Sequence, residues 1–265
     1  IDSLMQYLSE ISYEIIIVDN ASLKDEITEI QAKYKNIHCI KSDSNLGFAG
    51  GNNLGIIQAK GKYVLLLNND TYINDDSLLD LAEFLDSNAI VGAVSPKIKF
   101  ADSNIIQFAG YTDLSQVTLR NRLIGFGEAD LGQYDTPAKS PFLHIIKKVG
   151  LMPEIYFLYY EELDWCEQIK KNGFELWYTP QAVVFHKESR SVGQNSPLRC
   201  YYMTRNRLLY AWRNRRGIIR LVAILYQFLI ANPKGIFTYT LNGRLDLVRA
   251  SIRGMINFTN MKKTL

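Results

Sequence analysis

Apolar residues fall in short blocks separated by longer, helically spaced polar stretches. The block around which the chain is organised is Tyr63-Val64-Leu65-Leu66-Leu67, bounded by Gly61 and by Asn68-Asn69-Asp70-Thr71. A short unbroken apolar run between such borders predicts a strand buried on both faces. Glu14-Ile15-Ile16-Ile17-Val18 predicts another, closed by Asp19-Asn20-Ala21-Ser22. Shorter blocks predict strands at 36–41, 90–95, 97–100, 105–111, 117–124, 174–178 and 182–186. Helices are expected at 1–10, 23–34, 52–60, 163–172, 197–212, 218–231 and 237–258. Alternation of strand and helix as far as residue 85 predicts parallel strands joined by right-handed crossovers. Between 96 and 142, Gly125, Gly127, Gly132 and Pro137 punctuate the pattern and predict an antiparallel excursion with mobile loops. The expected fold class is α/β: a mixed, mostly parallel sheet flanked by helices, with a C-terminal helical extension. The expected boundary divides 1–196, a catalytic domain, from 197–265, a basic amphipathic helical region.

Composition narrows the picture. A length of 265 residues suits one large α/β domain or a domain with an appendage. With 47% hydrophobic and 22% charged residues, the chain falls in the ordinary globular class. A formal net charge of +3 is too small to argue for nucleic acid, and none is expected as a partner. Cys39, Cys166 and Cys200 show no CxxC spacing, hence no disulfide framework and no zinc signature, which fits a reducing, cytoplasmic compartment. No signal-peptide pattern is seen, and no unbroken apolar run reaches the roughly 18 residues of a membrane span. The stretch 218–231 is interrupted by Arg220 and Gln227 and suits a core or interfacial helix. Arg244, Arg249, Arg253, Lys262 and Lys263 among apolar positions point either to peripheral docking on an anionic membrane surface or to a solvated basic face.

Candidate chemistry gathers at the ends of the predicted strands, where open α/β sheets bind ligands. Asp70 suits a hard cation such as Mg²⁺ or Mn²⁺, which takes one or two carboxylates plus substrate phosphates. Asp19 stands in the corresponding place after its own strand. For both, a turn or helix cap is the alternative. The Gly-rich stretch from Asn45 to Gly55 enters a helix, where backbone N–H groups can face an anion, though its spacing is not the dinucleotide fingerprint. Glu161 and Glu162 follow the aromatic run Tyr156-Phe157-Leu158-Tyr159-Tyr160. Carboxylates crowded by aromatics can have a raised pKa and act as a general base, or they can simply match the positive end of a helix. His186 follows an apolar strand and is either structural or a ligand to metal or phosphate.

Five stretches taken together resemble the family 2 inverting glycosyltransferases of the GT-A, Rossmann-like fold, particularly their bacterial rhamnosyltransferase-like branch. They are Val18-Asp19-Asn20-Ala21-Ser22, Asn45-Leu46-Gly47-Phe48-Ala49-Gly50-Gly51-Asn52-Asn53, Leu67-Asn68-Asn69-Asp70-Thr71, Tyr160-Glu161-Glu162-Leu163-Asp164-Trp165 and Tyr201-Tyr202-Met203-Thr204-Arg205-Asn206-Arg207. They occur in the family's order and cover about residues 14–215. The resemblance implies a nucleoside-diphosphate-sugar donor, a glycan or lipid-linked acceptor, a divalent cation and transfer with inversion. It implies nucleotide contacts at Asp19, Asn20, Asn45, Gly47, Asn52, Asn53 and Asn69. Asp70 would end the family's DXD-like motif and hold the cation, with His186 beside it. Glu162 would be the base, with Glu161 its neighbour, and Asp164, Trp165 and Arg205 would face the acceptor or the diphosphate.

Three departures accompany the likeness. Asn68 replaces the first acid of the DXD-like motif, and Asn52 stands where many relatives carry Arg. The family's strand before the opening helix, and a longer segment between His144 and Ile145, imply further residues at both places. Two competing functions are a degenerate GT-A module that binds nucleotide or scaffolds an assembly, and a sugar-phosphate nucleotidyltransferase. Asp19-Asn20-Ala21-Ser22 carries no Arg or Lys to serve as the phosphate loop of the latter.

Overall fold

The computed structural model describes residues 1–9, 11–141, 145–147, 150–187 and 196–261. His144, Lys262 and Lys263 lie outside the described residues. The chain forms two compact units: Ile1–Thr112, Arg122–Phe157 and Glu161–Ser189 make the first, and Asp113–Asn121, Leu158–Tyr160 and Arg190–Leu265 the second. The sequence drew a single boundary at 196/197; the second unit instead begins at Arg190 and also takes in Asp113–Asn121 and Leu158–Tyr160. Part of the reason lies in the second unit, where Asn206 Nδ2 donates to the carbonyls of Leu158 (2.7 Å) and Tyr159 (2.8 Å), and Tyr160 Oη donates to the carbonyl of Leu119 (3.4 Å).

In the first unit the order is α1 (Asp2–Tyr7), β1 (Ile16–Asp19), α2 (Glu26–Lys33), β2 (His38–Lys41), α3 (Gly47–Gln58), β3 (Tyr63–Leu65), β4 (Thr71–Tyr72) and α4 (Leu78–Ser87). Then come β5 (Val91–Phe100), β6 (Ile106–Phe108), β7 (Ala138–Lys139), β8 (Ile145–Lys147), α5 (Glu161–Lys171) and β9 (Glu175–His186). The larger sheet runs β3-β8-β5-β9-β4, with β6 on β5 and β7 on β9. β1 and β2 form a separate parallel pair. The α/β class with a helix-flanked mixed sheet is as expected, but the parallel majority is not. Only β1–β2 and β5–β9 run parallel among the described pairings. The loop from β5 to β6 is too short for a crossover, which needs a dozen or more residues, so β6 can only return antiparallel. No described strand pairs with both β1 and β3, so the expected crossover sheet is not continuous there.

Prolines misled the strand boundaries. β5 runs through Pro96 and β9 through Pro180, where the sequence predicted breaks. The missing N–H is absorbed by a register shift: Pro96 pairs with Thr179 but Lys97 with Val183, so 180–182 bulge out of β9. On one side of this strand pair Ile73, Leu81, Leu85, Val91, Val94, Ala182 and Val184 form the core. α4 presents Leu78, Leu81 and Leu85 to it at helical spacing.

The second unit holds α6 (Pro197–Asn214), α7 (Gly217–Tyr226), a π-helical turn (Gln227–Ala231), α8 (Asn232–Leu241) and α9 (Leu245–Met261). The predicted strand at 117–124 is absent. Leu119 is left-handed (φ 55°), and Ser115 and Arg120 close a turn. The single helix expected at 237–258 is broken by Gly243, also left-handed (φ 68°), with Arg244 N–H returning to the Tyr239 carbonyl. In contrast, Gly217–Leu241 is continuous over 25 residues and, by length and composition alone, long and apolar enough to cross a membrane. It is not an unbroken apolar run, since Arg220, Gln227, Asn232 and Lys234 lie within it. Gln227, read as an interruption, is buried and donates Nε2 to the Thr118 carbonyl (3.2 Å). The π-helical turn stands directly before Asn232-Pro233, where a proline lacks its helix donor.

Candidate active site

The first cluster joins the end of β1 to the start of α3. Asn20 Nδ2 donates to the Gly47 carbonyl (2.8 Å) and to Asn45 Oδ1 (3.3 Å), while Leu46 N–H donates to Asn20 Oδ1 (2.9 Å). Asn45 Oδ1 also accepts from Gly47 N–H (2.9 Å). These side chains shape the loop rather than reach out of it. The helix itself begins at Gly47, not at 52, so most of the Gly-rich stretch is the first turns of α3. Ala21 sits in the left-handed region (φ 62°), turning the chain directly after Asp19-Asn20. Asp19 Oδ1 accepts from Ser22 N–H (2.8 Å), and this contact with Ser22 holds its carboxyl below the usual range. Asp19 Oδ2 is buried with no protein partner, an acceptor left over for a ligand.

Gly47 is there for two reasons. Its φ is +73°, and an added Cβ would lie 2.2 Å from the Phe157 carbonyl oxygen, which accepts from Phe48 N–H (2.7 Å). Gly173 has a similar φ of +87° but nothing within 4 Å. Gly173→Ala is therefore expected to cost about 1 kcal/mol of backbone strain. Gly47→Ala adds a collision with main chain and is expected to cost several times as much; urea titrations of both variants measure the difference.

The second cluster is made by β4. Asp70 was expected at the end of the strand 63–67, but β3 ends at Leu65 and it is the short β4 that holds Asp70. β4 pairs antiparallel with the end of β9, Thr71 against His186, and Lys187 N–H donates to the Asp70 carbonyl (2.9 Å). This brings Asp70 Oδ1 to 3.0 Å from His186 Nε2. The other ring nitrogen, Nδ1, lies 2.8 Å from Gln107 Oε1. With that oxygen as acceptor, Nδ1 donates and Nε2 faces Asp70, as a donor when the ring is protonated and as a metal ligand when it is neutral. Two neighbouring ligands at about 2.1 Å from an octahedral ion stand about 3.0 Å apart, so the pair fits a divalent cation. Among the described residues no group of three or more His, Cys, Asp or Glu could hold a metal alone. Water and donor phosphates would have to complete the shell, as is usual for Mg²⁺. Gln107 was not foreseen, though it is the lone polar residue in Ile105-Ile106-Gln107-Phe108.

The third cluster opens α5. Phe157 (φ 64°) precedes this helix in a left-handed conformation, and Tyr159 (φ 66°) and Tyr160 (φ 77°) in the second unit do the same. Strain of this kind persists only where surrounding structure enforces it. Glu161 is buried, at 4% exposure. Glu162 keeps intermediate exposure, and burial pushes its carboxyl up to about 7. Tyr111, which the sequence did not single out, lies near enough to feel that charge; burial first, then Glu162, hold its phenol above its ordinary range.

Other expected site residues have structural work. Asn53, 2% exposed, donates Nδ2 to the Met152 carbonyl (2.9 Å) and Glu154 Oε1 (2.8 Å) and accepts from Met152 N–H (2.9 Å). Both of its donors are used, so it clamps α3 to 152–154. Asn52 Nδ2 donates to the Phe48 carbonyl one turn back (2.8 Å), and Asn69 is exposed. Asp164, 1% exposed, accepts from Tyr156 Oη (2.7 Å) and Gln168 Nε2 (3.2 Å), and Trp165 is 2% exposed; both are core residues, because they fall on the inner face of α5. Arg205 belongs to the second unit, where it donates Nε to Asn206 Oδ1 (2.7 Å) and stacks 4.8 Å from the Tyr202 ring.

Residues 1–151 match the model of Glycosyl transferase family 2. The chain is 24% identical over 233 residues to the dTDP-rhamnosyl transferase RfbF of Shigella flexneri, spanning 81% of this chain and 76% of that protein. It is 23% identical over 198 residues to y4gI, an uncharacterized protein of Sinorhizobium fredii, spanning 69% of this chain but 22% of that protein. Among solved structures, GalNAc-T7 with UDP, GalNAc and Mn²⁺ superposes with a TM-score of 0.58 at 15% identity, over 84% of this chain and 49% of that one. That likeness establishes the GT-A fold.

Proposed function

The chain belongs to Glycosyl transferase family 2, and on that premise we propose that it transfers a sugar from a nucleoside-diphosphate donor to a hydroxyl of a glycan or lipid-linked acceptor, with inversion. The observation that carries this is Glu162: a carboxyl raised to about 7, partly reachable, at the head of α5. A base so tuned can take a proton from an attacking hydroxyl near neutral pH. The acceptor O–H bond breaks and its proton passes to Glu162. The oxygen forms a bond to the anomeric carbon, and the bond from that carbon to the diphosphate breaks, its electron pair leaving with the nucleoside diphosphate. The transition state is oxocarbenium-like. Direct attack by the acceptor oxygen, with Glu162 as base, gives inversion.

Asp19, with its open Oδ2, accepts from the base or ribose. Asp70 and His186 hold Mg²⁺ or Mn²⁺, oriented by Gln107. Such a cation supplies neutralisation of the diphosphate's charge. Support for peripheral contact with the cytoplasmic face of a membrane comes from Gly217–Leu241, along which Ile218, Leu229, Phe237 and Leu241 are exposed by 70%, 69%, 64% and 71%.

Thermal unfolding with Mn²⁺ or Mg²⁺ against UDP, dTDP and GDP tests the donor assignment. A ligand at about 100 times its Kd adds roughly 2.7 kcal/mol. The expected result is a rise in melting temperature that needs both a cation and one nucleotide. A protein that no pairing stabilises does not bind a donor in this way.

A further inference from the structure

The C-terminal unit contains a cavity of about 260 Å³ that the transfer chemistry does not use, lined in part by Arg120, Ser196, Arg199, Arg207, Asn232 and Tyr239. Its volume falls below the roughly 300–1,000 Å³ of sites for drug-sized ligands and matches a small ion better. Three of the lining residues are arginines, and no Asp or Glu is among the described residues lining it. None of the three arginines makes an ion pair among the described residues.

Two of the arginines contact aromatic side chains. Arg199 lies 5.7 Å from the Tyr159 ring centre. Arg207 lies 6.0 Å from that of Tyr160 and donates Nε to its hydroxyl (2.7 Å). Contacts of this kind restrict the side chains and lower the entropy lost when the fork grips a ligand. Asn232 is 8% exposed, lines the cavity, and its Nδ2 is buried without a hydrogen-bond partner. A buried orphan N–H donor costs about 1–3 kcal/mol, so its neighbourhood favours an acceptor. Ser196, the N-cap of the 18-residue α6, adds the positive end of a helix at the same place.

We propose that this cavity is a binding site for a phosphate-bearing group, a mono- or diphosphate, gripped by Arg120, Arg199 and Arg207 and by Asn232 Nδ2. Forked donors, an unsatisfied amide and a helix start, with no carboxylate among the described lining, are what a phosphate oxygen set requires. A carboxylate ligand satisfies fewer donors than three guanidinium groups offer. The proposal is independent of the cation at Asp70.

The test is calorimetric titration of the full chain with inorganic pyrophosphate in the presence of a chelator, which removes metal-dependent binding at the donor site. One saturable site per chain is expected. Arg199→Gln is expected to weaken it at least tenfold, and so is Asn232→Asp, which places a negative charge in the cavity. Asp70→Asn is expected to leave it unchanged, which separates this site from the donor site. Unfolding curves establish that the variants are folded; should Asn232→Asp fail to fold, Arg199→Gln carries the test. Vesicles containing phosphatidylglycerol, set against neutral phosphatidylcholine vesicles, distinguish the sources. Displacement of pyrophosphate by the former alone assigns the phosphate to a lipid headgroup, and displacement by neither assigns it to a soluble molecule. Absence of saturable pyrophosphate binding, or binding as tight in folded Arg199→Gln as in the unaltered chain, overturns the proposal.

Discussion

Glu162→Gln is expected to lower the rate of sugar transfer by about 10²–10⁴-fold, the usual contribution of a positioned general base. The amide keeps the shape and cannot accept the proton. Donor binding, read as nucleotide-dependent stabilisation, is expected to stay within about twofold, because the base acts on the acceptor. The raised carboxyl supplies a second, independent readout. In the folded chain Glu162 titrates at about 7 against an ordinary value of 4.5, so between those values the folded state binds the extra proton. Stability from this group is therefore present at low pH and is lost as pH rises through about 7. Replacement by Gln removes a buried charge and is expected to raise stability at pH 8 by at most about 3 kcal/mol, read as a higher melting temperature, with no gain at pH 4. Transfer by the unaltered chain should rise with pH through about 7 and then level off. Unaltered transfer rates in Glu162→Gln would remove Glu162 as the base, whereas lost activity with lost stability would mark it as structural.

The second large effect is expected at Asp70. Asp70→Asn keeps the side chain's size and the main-chain bond from Lys187, but removes the charge that faces His186 Nε2. Loss of a second-shell group already costs about 10–100-fold in metal affinity, so loss of a ligand is expected to cost at least about 100-fold. Metal-dependent stabilisation by nucleotide should then vanish at concentrations that saturate the unaltered chain. Binding of Mn²⁺, followed by its electron paramagnetic resonance signal with saturating nucleotide, measures this without any turnover. Equal Mn²⁺ affinity in both proteins would take the cation away from Asp70. Gln107→Leu is a milder change in the same cluster; it removes the acceptor for His186 Nδ1 and leaves both ligands in place.

Asp19, Asp70 and Glu162 stand out as candidates in the sequence because each follows a local pattern: an apolar block and then a carboxylate, or an aromatic run and then a helix start. Periodicity also supplied the approximate places of most helices, since burial of one helical face is a property of adjacent residues. Sheet direction was different. Whether β6 returns antiparallel on β5, or β9 passes through Pro180 by bulging, depends on partners far along the chain. Apolar periodicity is the same for either direction. The meeting of Asp70 with His186 is likewise a product of β4–β9 pairing across more than a hundred residues, and Gln107 enters only from a third strand. Asn53 and Asn20 show the opposite case. By residue type they could bind a ligand, but tertiary structure gives their donors and acceptors to the chain itself. The sequence by itself determined which groups could do chemistry and the class of fold that carries them. Only the tertiary structure decided which of those groups remain open to a ligand, because hydrogen-bond capacity is finite and is spent first on partners that folding brings near.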